Sequence, residues 1–143
     1  MHEDPFNLDR FAQAQAKDYA SALAELRAGK KLTHWIWYVL PQLKGLGTSS
    51  RATFYGIGSA DEARAYLAHP VLGPRLTETV TAMNALRGLS AAHILGPVDA
   101  AKFRSCLTLF LSVDPGNAVF REALDKYFAG VQDESTLALL RAS

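Results

Sequence analysis

Apolar positions along the chain recur mainly at intervals of three and four. Leu8, Phe11, Gln15, Tyr19, Leu23 and Leu26 share one face of a helix at that spacing. Asn7 is read as its N-cap and Gly29, which tolerates positive φ, as its stop. "SADE", Ser59 to Glu62, matches a capping box, in which hydroxyl and carboxylate exchange bonds with backbone N–H groups. The helix it opens, "ADEARAYLAH", must end before Pro70. Leu72, Leu76, Val80, Met83 and Leu86 mark the next helix, and Ser90 caps a single turn, "AAHIL", closed by Gly96. Pro97 suits the first turn of "PVDAAKFRSCLTLFLSV". Apolar residues surround that helix, which predicts a buried central element near 98–113. Pro115 opens "PGNAVFREALDKYFAG", with Phe120, Leu124, Tyr127 and Phe128 inward and Gly130 as stop, and Asp133 caps a short last helix through Leu140.

Strand-like alternation is nearly absent. "WIWYVL" is rich in β-formers, but a lone strand has no partner, so the stretch is read as a helical turn after a Thr33 cap. No repeat or linker interrupts the chain. The pattern predicts one all-α domain over 1–143, with about seven helices around the central one.

Composition narrows the function classes. A length of 143 residues is ordinary for one domain, and 49% hydrophobic against 20% charged residues is ordinary for a soluble globular chain. A net charge of +1 argues against general nucleic-acid or membrane-surface binding while leaving room for a local basic patch. The single cysteine, Cys106, excludes an internal disulfide and a cysteine-based metal site. Within "CLTLFLSV" it reads as a buried thiol. "MHEDPFNLDRF" lacks a signal-peptide pattern, and no apolar run approaches the ~20 residues of a membrane span. A soluble, cytoplasmic protein without a membrane partner is expected.

Candidate chemistry gathers in "HWIWYVLPQLKGLGTSSR", His34 to Arg51. On a helix, His34, Trp37 and Tyr38 would share one face and Trp35 and Val39 another. One tryptophan is then expected in the core and the other in the wall of a cleft, together with His34 and a cation, offering flat apolar area to an aromatic ligand. "KGLGTSSR" brings two glycines, three hydroxyls and two cations within eight residues, just before the predicted helix "SRATFYGI". Glycines let backbone N–H groups approach an anion, and a helix start supplies donors. The alternative is a solvated loop with a Ser50 cap. The glycine spacing is not a Walker motif and no strand precedes it as in a dinucleotide fingerprint.

His34 is a candidate general base or ligand, or else a structural hydrogen-bonder. His69 precedes Pro70, His93 lies in a turn and His2 in a terminal tail; these spacings predict no metal site and no cofactor. Asp99, Lys102, Ser105 and Thr108 step by three along the central helix. Polar groups on so apolar a helix need partners, either a ligand or the carbonyls of the preceding turn. Lys126, Tyr127 and Asp133 read as a surface pair and a cap. Nucleophile-elbow and paired-carboxylate signatures are absent. The ligand set is therefore Trp35, Trp37, Gln42, Lys44, Ser49, Arg51, Tyr55, Lys102 and Ser105, with His34 and Asp99 as acid or base candidates.

Five stretches, "DRFAQAQAKDYASALAELRAGKK", "THWIWYVLPQLKGLGTSS", "FYGIGSADEARAYLAHPVLGPRL", "DAAKFRSCLTLF" and "DKYFAGVQDESTLALL", together resemble the bacterial domain-of-unknown-function family 1810. The pattern of His34, Trp35, Trp37, Pro41 and Gln42 is the most distinctive part. The resemblance implies a mainly α-helical single domain and brings no activity with it. Members often carry the label calpastatin, which does not suit this chain: that inhibitor is disordered, polar and Pro- and Lys-rich, whereas nearly half of these residues are hydrophobic.

Three functions fit. The first is a module binding a small anionic, nucleotide-like ligand around 34–51. The second is an enzyme acting on a nucleotide or ADP-ribose-like substrate through His34 or Asp99. The third is an interaction domain anchored by an exposed tryptophan. A deep pocket joining Trp, Lys and His favours the first two, and a shallow apolar patch favours the third.

Overall fold

The computed structural model describes residues 3–142; His2 lies outside them. They form α1 (Asp9–Ala28), α2 (Ile36–Val39), α3 (Ser50–Tyr55), α4 (Ala60–Ala68), α5 (Leu72–Asn84), α6 (Ala91–Leu95), α7 (Pro97–Val113), α8 (Ala118–Phe128) and α9 (Glu134–Ala142). There are thus nine helices among the described residues rather than about seven, the excess being α2 and α6, each about one turn long.

The most apolar stretch forms the axis. From Ser105 to Leu111 every residue of α7 is buried, and α4, α6, α8 and α9 pack around it. Cys106 is among these buried residues, its thiol pushed up by burial. On the outer layer α1 lies against α2 and α5, and α5 bridges to α4 and α8. The inward face of α1 carries Phe11, Gln15, Leu23 and Leu26, with Tyr19 half-buried. In α8, Phe120 and Leu124 are buried whereas Tyr127 and Phe128 stay half-buried at its end.

Side-chain caps open five of the nine helices among the described residues. Ser59, Ser90 and Asp133 accept bonds from Glu62, His93 and Thr136 N–H respectively. Gly29 closes α1 at φ 79°. Four expected boundaries differ. Asn7 adopts φ 51° and caps nothing; the Asp4 carboxylate instead takes the Leu8 and Asp9 N–H groups at 2.7 and 2.9 Å. Thr33 bonds Glu25 instead of opening α2. The cap of α3 is Ser49, not Ser50, and that of α8 is Asn117, with Pro115 upstream of it. At α1, α3 and α8 another side chain within reach of a free N–H took the role, a choice of one to three positions that periodicity does not resolve, whereas α2 starts with no side-chain cap.

Strand pairing is confined to one isolated bridge among the described residues, Leu43 to Ile57. Lys44 N–H donates to Ile57 O at 2.8 Å and Ile57 N–H to Gln42 O at 3.0 Å. These bonds pin the two ends of the segment that carries α3. No helix among the described residues is long and apolar enough to cross a membrane.

Candidate functional site

Glu25, in the last turns of α1, organises the approach to the aromatic segment. Its carboxylate accepts Leu32 N–H at 2.7 Å, Thr33 N–H at 3.0 Å, the Thr33 hydroxyl at 2.6 Å and the Trp35 indole N–H at 3.0 Å. Burial works against its charge, but these donors prevail and hold its pKa at about 2. The indole bond satisfies the one polar atom of Trp35, which is only 1% exposed. Trp35 is therefore core rather than ligand wall.

Two residues on, inside α2, Trp37 faces outward, half-buried. Its indole N–H makes no hydrogen bond within the described residues. Two cations flank it: Lys102 Nζ lies 5.2 Å and the Arg51 guanidinium carbon 5.0 Å from the ring centroid. Trp37, Gln42, Ala52, Tyr55 and Lys102 line a cleft of about 10 Å³, room for roughly one water.

The charges around the ring do not balance. Asp99 pairs with Lys31 at 2.9 Å and with Lys102 at 3.6 Å. Those side chains are only 8% and 23% exposed, and that of Asp99 is 17% exposed. One carboxylate thus serves two poorly solvated ammonium groups. Arg51, exposed at the other side, makes no hydrogen bond or ion pair among the described residues; its one contact of note is the Trp37 ring.

The remaining expected residues fall elsewhere. His34 is exposed and lines a neighbouring open depression of about 390 Å³ with Lys17, Asp18, Tyr38 and Arg51. It does not share the Trp37 cleft, because α2 begins only at Ile36 and the helical register assumed for His34 does not exist. Tyr38 turns inward and donates its hydroxyl to Asp18; burial and then that carboxylate raise its pKa. Lys44 faces a third groove with Arg10 and Phe54. Ser49 is consumed as a cap. Ser105 is buried and bonds back to Ala101 O at 3.1 Å, and Thr108 likewise to Arg104 O at 2.8 Å. Asp99, held by two lysines, does not stand free as a base. Lys126 and Tyr127 tie α8 to the end of α5 through Asn84 O and Met83 O.

Lys31 and Glu25 were not singled out by the sequence. The signal for Glu25 is faint but present: a carboxylate before a glycine stop, with Thr33 and Trp35 just after the chain reverses. Lys31 meets Asp99 across 68 residues of chain, and local spacing carries no trace of that contact. Among the described residues no three His, Cys, Asp or Glu side chains come together to hold a metal ion.

The model of a family described as a protein of unknown function, DUF1810, matches residues 5–140. A solved structure, that of the conserved hypothetical protein Rv1873 from Mycobacterium tuberculosis at 1.38 Å, is similar to this chain. The two are 48% identical, with 98% of this chain and 100% of that chain covered and a TM-score of 0.96. No curated protein matches the sequence.

Proposed function

The chain belongs to the DUF1810 family of proteins of unknown function, and from that starting point we propose that it binds a small anionic ligand with a flat ring, such as a nucleotide or a phosphorylated nucleoside derivative, at Trp37. The observation that carries this reading is the uncompensated positive charge beside an aromatic ring. Lys31 and Lys102 share the single carboxylate of Asp99, and Lys102 and Arg51 both reach the Trp37 ring. Partly desolvated cations gain more from an anion than solvated ones, and an indole face offers stacking to a planar group. Gln42 at the cleft wall adds a side-chain amide able to donate or accept.

Binding is favoured over catalysis because neither candidate acid or base faces the ring: His34 lies in the next depression and Asp99 is committed to two lysines. Binding of a small molecule is favoured over docking of a protein partner because the Trp37 ring is half-buried and flanked by two cations, and so does not stand out as an apolar anchor. A cytoplasmic setting, reducing and rich in phosphorylated metabolites, suits both the ligand class and the lone thiol.

The test is a thermal-shift screen of the purified protein against nucleotides and phosphorylated aromatic metabolites. A ligand at ~100 times its dissociation constant adds about 2.7 kcal/mol of stability. The effect is expected to fall as salt rises and to vanish in Lys102→Ala and Trp37→Ala, while His34→Ala is expected only to weaken it. No stabilisation by any such compound, or stabilisation that survives both of the first two substitutions, overturns the reading.

A further inference from the structure

We infer that residues 47–53, which run into the first turn of α3, form a lid that rests closed on the Trp37 cleft and lifts to admit a ligand. The purpose of this motion rests on the binding reading above; the motion itself stands on packing. A space of about 10 Å³ accepts a water and no aromatic ring, so a wall must move for any planar ligand to enter.

Of the walls, only one is free to do so. Trp37 sits in α2, whose other three residues, Ile36, Tyr38 and Val39, are buried. Lys102 belongs to the axial helix α7 and is tied to Asp99. α3 has no fully buried residue; its Tyr55 packs on Phe11 and Tyr38 at the C-terminal end, whereas the first turn has no such anchor and opens locally at low cost.

The ends of the lid are fixed. The Leu43–Ile57 bridge holds its base. The Arg10 guanidinium latches the C-terminal end, donating to Phe54 O at 2.8 Å and Gly56 O at 3.1 Å. Gly56 is itself wedged so closely that a Cβ there would lie 2.7 Å from Lys44 Cα. On the other side Leu46 packs on the core. What remains free is the stretch carrying Arg51 and Ala52. Arg51 makes no hydrogen bond or ion pair among the described residues and meets the Trp37 ring, a weak bond at an exposed site. An incoming anion competes for that guanidinium, so the ligand's charge lifts the residue that covers its ring site.

Gly47 supplies a lever. A Cβ at this position would stand 2.7 Å from Ala52 Cβ, so Gly47→Ala props α3 outward, and Ala52→Gly removes the obstacle. The experiment needs no ligand: amide exchange of the native protein, and acrylamide quenching of the variants. Trp35 is buried, so quenching reports Trp37. The expected results are α3 amides exchanging far faster than those of α7, a several-fold rise in quenching for Gly47→Ala, and a return to the native value in Gly47→Ala/Ala52→Gly. Exchange of α3 as slow as that of α7, or Gly47→Ala folded with native quenching, overturns the lid. If exchange and quenching behave as expected while adenosine monophosphate, inorganic pyrophosphate and the wider screen give no thermal shift, the lid stands and the ligand reading fails.

Discussion

At the scale of single residues, Glu25 shows how one carboxylate shapes a site it does not touch. Its four donors are the chain's means of reversing direction after α1 and of drawing the Trp35 ring inward. Glu25→Gln keeps the shape but surrenders the charge and turns half of the group into a donor facing donors. Charge-assisted bonds of this kind are worth about 1.5–3 kcal/mol each in favourable settings. Glu25 is partly solvated, so a total loss of roughly 1–3 kcal/mol is expected from urea denaturation. The folded pKa, about 2, lies below the ordinary 4.5. The stability it confers is therefore fully present above about 4.5 and disappears as pH falls toward 2. Glu25→Gln is expected to flatten the acid loss of stability within that window; an unchanged pH profile would contradict the assigned role. The split between a core and a surface tryptophan was legible in the sequence, because two indoles two positions apart cannot both face inward from one turn. Which of them goes in was not, since it depends on Glu25 reaching forward ten residues to Trp35.

At the scale of elements, helix starts marked by the apolar pattern, a cap or an early proline were readable, and α4, α5 and α7 begin at or next to where the pattern puts them. The ends without such a signal were not. Ala129 is an instance: it closes α8 in the left-handed region at φ 54°, where helices usually place glycine, and the neighbouring Gly130 drew the reading one position too far. The strain of an L-residue there is about 1–2 kcal/mol, and the extra freedom glycine gives the unfolded chain costs about 0.4–1 kcal/mol. Ala129→Gly is therefore expected to stabilise the protein by roughly 0.5–1 kcal/mol. A fall in the denaturation midpoint would mean that α8 does not end in this geometry. The site was less legible than the helices for a related reason. Trp37, Arg51 and Lys102 were each marked by residue type, but the Lys31–Asp99–Lys102 arrangement joins the end of α1 to the start of α7, and the Leu43–Ile57 bridge that positions α3 is too short to leave a strand pattern.

At the scale of the whole molecule, α7 is the axis against which α4, α6, α8 and α9 pack. Leu107, 1% exposed at its middle, belongs to the buried core, so Leu107→Ala is expected to cost about 2–5 kcal/mol through the cavity it leaves. A cost under about 1 kcal/mol would mean that the surrounding helices close over the gap, and that the axis is less rigid than its burial implies.

Cys106 stands next to Leu107 on that axis and is the chain's one cysteine. Its thiol is shut away from solvent and its ionisation is opposed by burial, while the reactive species in disulfide exchange is the thiolate. A thiol reagent in water can therefore reach it only when α7 has parted from its neighbours. With reclosing faster than modification, the labelling rate reads the open population directly. The protein thus carries its own unfolding clock, with one tick per molecule and no engineered label. A loss of 3 kcal/mol in Leu107→Ala would run that clock about a hundred times faster, while an opening confined to α3 would leave it untouched.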